Sequence, residues 1–266
     1  MKIAITGKGG VGKTTVSALL SHIYASEGKR VIAVDADPDA NLAAALGVPK
    51  NDRDRIMPVA EMGSLIEERT GAKPGSVGGV FKLNPKVDDI PEGFGYKING
   101  ITLLVMGKSK AAASGCYCPE NAFLRRLLKH LIVERDEVVI VDTVAGIEHI
   151  TRGTAEGVDA FIIVVEPGQR SLQTAETIRN LAQGLGIKKI FVVANKVRDD
   201  NDIMFIKKSL GDSGFLGSMS FNNDIMGADV KGLPPHEASA KALEEAVKIK
   251  NHLKVILEKI SQGKTS

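Results

Sequence analysis

The chain has 266 residues, 43% hydrophobic and 25% charged, and carries a formal net charge of +3. These are ordinary globular proportions, and the charge is too small, and its Lys and Arg too scattered, to argue for nucleic acid or a membrane surface as partner. The length allows one large α/β domain or two small ones, no stretch approaches the roughly 18 apolar residues of a bilayer span, and MKIAITGKGG is too short an apolar run for a signal peptide.

The first apolar run, residues 2–6 (KIAIT), predicts a strand, and a helical pattern follows over 14–26. Between them lies Gly7-Lys8-Gly9-Gly10-Val11-Gly12-Lys13-Thr14, which has the G-x-x-x-x-G-K-[ST] spacing of a phosphate loop in the strand-to-helix setting that such a loop requires. Its glycines let consecutive backbone N–H groups turn inward around phosphate oxygens at a helix N-terminus. Nucleotide contacts are therefore expected from Gly9, Gly10, Val11, Gly12, Lys13, Thr14 and Thr15. Lys13 would reach the β- and γ-phosphates, and the Thr14 hydroxyl would ligate Mg²⁺.

Residues 30–34 (RVIAV) predict the second strand, ending in Asp35-Ala36-Asp37-Pro38-Asp39. Residues 49–100 break the rhythm with Gly, Pro, Asp and Lys, and read as an insertion carrying a short helix and a hairpin. Strands are then expected at 101–105, 137–141, 160–165, 189–194 and, more weakly, 215–219, with helices at 119–134, 171–183 and 236–260. Continuous apolar runs of five or six residues suit strands covered on both faces. The alternation predicts an α/β fold with a doubly wound, mostly parallel sheet flanked by helices. No linker argues for a second domain, so residues 1–266 are read as one P-loop ATPase domain. The last helix presents Leu243, Ala246, Val247, Leu253, Ile256, Leu257 and Ile260 as a face that docks on that domain.

The extra lysine of KGGVGKTT, Lys8, resembles the deviant phosphate loop of the family that includes the nitrogenase iron protein and the MinD/ParA division-site and partition ATPases. That resemblance implies ATP-dependent homodimers in which Lys8 crosses to the nucleotide of the other subunit, acting as an arginine finger does. It makes Asp37, before the proline, the residue that orients attacking water, with Asp35 as its switch neighbour. In Asp142-Thr143-Val144-Ala145-Gly146 it makes Asp142 a second Mg²⁺ contact through water and Gly146 a switch glycine that meets the γ-phosphate. Asn195, in Val193-Ala194-Asn195-Lys196, resembles the residue that reads the adenine edge. Residues 220–237 resemble a later base-contacting loop, although Ser220 stands where that family usually has proline.

Both cysteines of the chain lie in SGCYCPEN, as Cys116 and Cys118. A disulfide between them would close a tiny strained ring, which leaves two buried structural thiols or a metal site. With no export signal a reducing cytoplasm is the expected setting, and it keeps thiolates available. Pro119 suits a first helical position, making Cys118 an N-cap, where the helix end favours the thiolate. In an extended loop the two Cα atoms lie ~6.5–7 Å apart on one side. Rotamer adjustment can bring the sulfurs to the ~3.8 Å edge of a tetrahedron with ~2.3 Å metal–sulfur bonds. Two thiolates are half of a four-sulfur shell, and the dimer implied by Lys8 would supply the other half across a two-fold axis.

GCYCPEN and DTVAGIEHITRGT on this framework look like the CooC-type ATPases, which insert nickel into carbon monoxide dehydrogenase and have relatives serving acetyl-CoA synthase. The resemblance runs from the first strand to about residue 240. It implies ATP/ADP and Mg²⁺ as cofactors, Ni²⁺ as cargo with Zn²⁺ able to substitute, and a client nickel enzyme as partner. Two alternatives stay open. A partition or positioning switch would share the nucleotide residues but leave the C-x-C unexplained. An iron–sulfur electron-transfer ATPase would need a second cysteine segment downstream of Asp142, where the chain offers only His149.

Overall fold

The computed structural model describes residues 1–76, 80–107, 118–144 and 152–263. Its centre is an eight-stranded sheet in the order β3-β4-β2-β5-β1-β6-β7-β8. In chain order the elements begin with β1 (Lys2–Thr6), α1 (Lys13–Ser26), β2 (Val31–Ala36), α2 (Leu42–Ala45) and α3 (Lys50–Arg53). After a 3₁₀ turn at Val59–Glu61 come α4 (Gly63–Thr70), α5 (Ile90–Phe94), β3 (Tyr96–Ile98) and β4 (Ile101–Val105). Then follow α6 (Pro119–Lys129), β5 (Val138–Thr143), α7 (Arg152–Ala155), β6 (Ala160–Val165), α8 (Gln169–Gly184) and β7 (Ile190–Val197). The chain closes with α9 (Asp200–Leu210), β8 (Phe215–Ser220), α10 (Asn223–Lys231), α11 (Pro235–Ala238) and α12 (Ala240–Ser261).

Every strand pair is parallel except β3 with β4. That pair is the hairpin expected in the insertion, lying at its end. Its two-residue turn places Asn99 and Gly100 at φ 46° and 78°, the mirror-image geometry that matches strand twist. Among the described residues the rest of the insertion carries three short helices, α3, α4 and α5, joined by turns and irregular chain.

Strand side chains alternate between two apolar layers, as a period of two requires. Ile3, Ile5, Ile140 and Ile162 pack under α1, α2 and α12, against Leu19, Leu20, Leu42, Ala246 and Leu253. Ala4, Val139, Val141 and Phe161 face the other way, toward Ile66 of α4, Phe123 and Leu127 of α6, Ile178 of α8 and Ile206 of α9. Each fully buried Ile, Leu or Phe contributes about 1.5–3 kcal/mol of transfer free energy. The length of these apolar runs is therefore what makes the sheet legible.

The C-terminal helix differs from expectation. It is broken at Ser239, whose φ of −148° is extended and whose Oγ accepts from the Ala242 N–H at 3.2 Å to cap α12. The face that docks is Ala242, Ala246, Ile249 and Leu253, and Ile260 is exposed. Ala246 and Leu253 of the expected face are at its centre, and Leu243, Val247, Ile256 and Leu257 pack partly buried at its rim; Ala242 and Ile249 complete it in place of Ile260. Helix α6 runs straight into a π-helical turn at His130–Glu134, which together fill the expected 119–134.

Candidate functional site

The carboxyl ends of parallel strands are where an open α/β sheet binds its ligands, and here the ends of β1, β2, β5, β6 and β7 converge around the Gly7–Thr14 loop. The loop is held from below by Val11, fully buried. Two glycines are sterically required. A Cβ on Gly7 would lie 2.3 Å from the Val164 carbonyl oxygen of β6, and one on Gly12, at φ 95°, would lie 2.1 Å from Nδ2 of Asn195. Gly9 and Gly10 are exposed, and Lys13 is buried at the start of α1. The ends of β1 and β5 are cross-braced: the Thr6 hydroxyl donates to the Val144 carbonyl at 2.9 Å, and the Thr143 hydroxyl donates to the Ile5 carbonyl at 3.1 Å.

Thr14 and Asp142, each expected to serve Mg²⁺, lie side chain to side chain. The Thr14 hydroxyl donates to Oδ2 of Asp142 at 2.7 Å. The other oxygen, Oδ1, is buried with no hydrogen-bond partner. Burial pushes the Asp142 carboxyl up to about 6, against the stabilising pull of the Thr14 hydroxyl and the Lys13 charge. A buried carboxylate oxygen beside a hydroxyl is a hard, oxygen-only donor set, which fits Mg²⁺ held partly through water.

Asp35 lies directly across from Asp142 on the neighbouring strand. It is completely buried, and desolvation, reinforced by Asp142, pushes it up to about 7. Its two oxygens accept from the backbone N–H of Leu42 at 2.9 Å and of Asp37 at 3.2 Å. Asp35 therefore folds the 37–42 turn back onto the sheet. Asp37, the expected water-orienting residue, is half-buried on that turn and accepts from the Asp39 N–H at 2.9 Å.

Asn195 sits in β7, and its side chain faces the loop. Nδ2 donates to the Val11 carbonyl at 2.8 Å, while Oδ1 accepts from the Lys196 N–H at 2.9 Å. Lys196, with a left-handed φ of 57°, sends Nζ to the Gly10 carbonyl at 2.5 Å and to Glu166 Oε2 at 3.1 Å. Two consecutive loop carbonyls are thus taken by β7, while the Val11 N–H turns back to the Lys8 carbonyl at 3.4 Å. Sequence reading assigned no role to Lys196 or Glu166. The signal for Glu166 was there, since it follows an apolar strand directly, as Asp35 and Asp142 do.

Ser220, the departure from the family's usual proline, gives both its N–H and its hydroxyl to the Glu245 carboxylate at 2.9 Å, which ties β8 to α12. In the same later segment the rings of His236 and His22 stack at 3.7 Å between centroids, and burial lowers the pKa of both.

Of the expected thiol pair, Cys118 is described: it is buried and occupies the N-cap position of α6 with an extended backbone. Cys116 lies outside the described residues, as do Gly146 and His149. Among the described residues no group of three or more His, Cys, Asp or Glu is placed to hold a metal. Two residues beyond the cap, Glu120 is buried and accepts from the Gly75 N–H at 2.7 Å, fastening the insertion to the first turn of α6. No helix among the described residues is long and apolar enough to cross a membrane.

Comparisons with known proteins agree with this geometry. The model of the CobQ/CobB/MinD/ParA nucleotide binding domain matches residues 2–235. The carbon monoxide dehydrogenase accessory protein CooC of Rhodospirillum rubrum is 49% identical over 246 residues, 92% of this chain and 93% of its own. An uncharacterized ATP-binding protein of Methanocaldococcus jannaschii is 47% identical over 256 residues, 95% of this chain and 97% of its own. Among solved structures, MinD of Pyrococcus horikoshii complexed with Mg-ADP superposes with a TM-score of 0.67 at 20% identity, over 100% of this chain and 99% of that one. The phosphate loop, the strand-end carboxylates and these matches together show that the chain belongs to the CobQ/CobB/MinD/ParA family of nucleotide-binding domains and is an ATPase of the CooC type.

Proposed function

We propose that this ATPase is a dimerising metallochaperone that carries nickel between two subunits on Cys116 and Cys118 and supplies it to carbon monoxide dehydrogenase or acetyl-CoA synthase. The observation that carries the reading is the extended likeness to CooC, 49% identical across 92% of the chain, in a sequence whose only cysteines form a C-x-C pair. Helix α6 connects parallel strands β4 and β5 by way of their common neighbour β2. Its N-terminal end, with Cys118, therefore lies at the same edge of the sheet as the phosphate loop. A thiolate at that edge is in reach of nucleotide-driven rearrangement.

In the proposed reaction, water attacks the γ-phosphate with Asp37 as its orienting base, and Lys13 together with Lys8 of the partner copy offsets the charge that develops. Thr14 and, through water, Asp142 would hold Mg²⁺, which neutralises the β- and γ-phosphate oxygens. Asn195 would turn part of its amide toward adenine once a base is bound. ATP would draw the two half-sites together and hydrolysis would release them. Zinc competes well at thiolate sites, so affinity alone does not name the cargo. The insertion, fastened to α6 through Glu120, is the surface offered to the client enzyme.

The test is nickel and zinc stoichiometry with solution mass, with and without ATP or ADP, for wild type and a Cys116→Ser/Cys118→Ser variant. One metal per dimer, lost in the variant while nucleotide binding survives, is the expected result. Metal-free protein that still dimerises on ATP would instead support a partition-type switch, and a brown protein with visible absorption an iron–sulfur carrier.

A further inference from the structure

Glu166 is used by no step of that reaction, yet its carboxylate lies between Lys8 of the phosphate loop and Lys196 of β7. Oε2 pairs with Lys196 Nζ at 3.1 Å, and Oε1 stands 4.0 Å from Lys8 Nζ. Both partners are held in place by backbone. Glu166 follows the last residue of β6, precedes Pro167, and donates its N–H to Ser171 Oγ of α8 at 3.1 Å. Lys8 follows Gly7, which is pressed against the Val164 carbonyl two residues before Glu166. A carboxylate beside a polyphosphate site raises the electrostatic cost of binding the nucleotide, so its position calls for a compensating role.

The two contacts differ in kind. Lys196 is pinned from a second side by the Gly10 carbonyl and holds a left-handed backbone that a non-glycine residue keeps only when its surroundings impose it. The Lys8 contact is long, at 4.0 Å against 3.1 Å for Lys196, while the two lysine side chains are about equally exposed, 38% and 41%. Exposed ion pairs of that length are weak and readily exchanged. Lys8 is therefore the lysine that can leave.

We propose that Glu166 is a positioning residue that retains Lys8 on its own subunit and releases it only to a γ-phosphate presented by the partner copy. The proposal rests on the reading in which Lys8 acts across the dimer. The carboxylate and the partner's terminal phosphate compete for one ammonium group. A γ-phosphate outcompetes Glu166 where the shorter ADP does not, and dimerisation thereby becomes contingent on ATP. Lys196 stays on Glu166 throughout and keeps the loop in shape.

Solution mass against ATP and ADP concentration, for the full chain as wild type, Glu166→Gln and Lys8→Ala, tests this, with ATP affinity measured under dilute, monomeric conditions as a control on the loop. Glu166→Gln is expected to need roughly three- to fivefold less ATP for half-dimerisation, to form dimers with ADP where wild type does not, and to bind ATP at least as tightly as wild type. Lys8→Ala is expected to remain monomeric with ATP. If Lys8→Ala is monomeric but Glu166→Gln dimerises as wild type does, Glu166 does not hold Lys8 and this inference alone falls. A Glu166→Gln chain that binds ATP more weakly also overturns it, because Glu166 then acts through Lys196. If Lys8→Ala dimerises normally, the trans-lysine reading fails and takes this one with it.

Discussion

The two ends of the same parallel strands treat buried charge in opposite ways. At the amino-terminal edge, Glu137 is met on both oxygens by Arg135, at 2.7 and 3.1 Å, and this pairing holds its carboxyl down at about 2. Lys2 Nζ donates to the Glu137 carbonyl at 2.9 Å, and the Lys2 N–H to Asp159 at 2.9 Å. At the carboxyl-terminal edge, Asp35 and Asp142 lie side by side with no cation paired to either among the described residues, and burial drives them up to about 7 and about 6. One end of the sheet completes its electrostatics within the chain. The other keeps two acids whose charged forms burial disfavours and an incoming cation would favour, which is how a fold spends stability on function.

The contrast is most severely tested at Lys13 and Asp142. Lys13→Ala and Asp142→Asn are each expected to lower ATP turnover about 100-fold or more. Asp142→Asn should at the same time make the nucleotide-free protein more resistant to urea at pH 8, by about 1–2 kcal/mol, since it removes a buried charge with a raised pKa. A less stable Asp142→Asn chain would erase the distinction between the two ends. At the opposite edge, Glu137→Gln should cost about 2 kcal/mol in the same urea experiment, and ATP turnover at saturating nucleotide should stay at the wild-type level. A turnover loss there would mean that the amino-terminal edge is coupled to catalysis.

The smallest effect expected concerns the His22–His236 stack, a third place where burial opposes charge. Both imidazoles have lowered pKa values in the fold, with desolvation the leading cause, with Glu237 opposing it in both and His22 adding to it for His236. The unfolded chain therefore binds protons first as pH falls below 6.5, and the stability contributed by the neutral stack is lost on acidification. Asp35 and Asp142, being raised, act in the reverse sense and lose stability as pH rises through about 6 to 7. The informative quantity is the difference in stability between wild type and His236→Gln from pH 5 to 7.5, which should narrow toward the acid end. A flat difference would remove the stack from the pH response.

Most of this architecture was legible because buried parallel strands must be apolar throughout, so KIAIT, AFIIVV and IFVVA mark themselves. The phosphate loop was legible because its steric demands fix residue types, as the contacts that a Cβ would make at Gly7 and Gly12 show. What stayed hidden depended on long-range placement. Ser239 resembles any serine in a polar stretch until its hydroxyl is found capping α12, so the start of that helix was hidden while its docking residues Ala246 and Leu253 were legible. The hold of Asn195 and Lys196 on the loop carbonyls spans more than 180 residues of sequence, 184 for the Asn195 bond and 186 for the Lys196 bond. No local pattern encodes such a separation. Glu166 was hidden for a different reason: a single acid after an apolar strand shows its place only when Lys8 and Lys196 are found on either side of it.

The position of β1 also has a consequence for how the chain assembles. Its neighbours in the sheet are β5 and β6, so Lys2 pairs with Val139 and Ile3 with Ala160. Strand β1 must therefore wait for partners that lie far along the chain. Contacts of such high sequence separation form late and slowly. The loop that follows β1 thus acquires its shape near the end of folding, and nucleotide present during synthesis would meet a finished site only after β6 had emerged. A kinetic signature follows: recovery of nucleotide binding on refolding should lag behind recovery of helical signal.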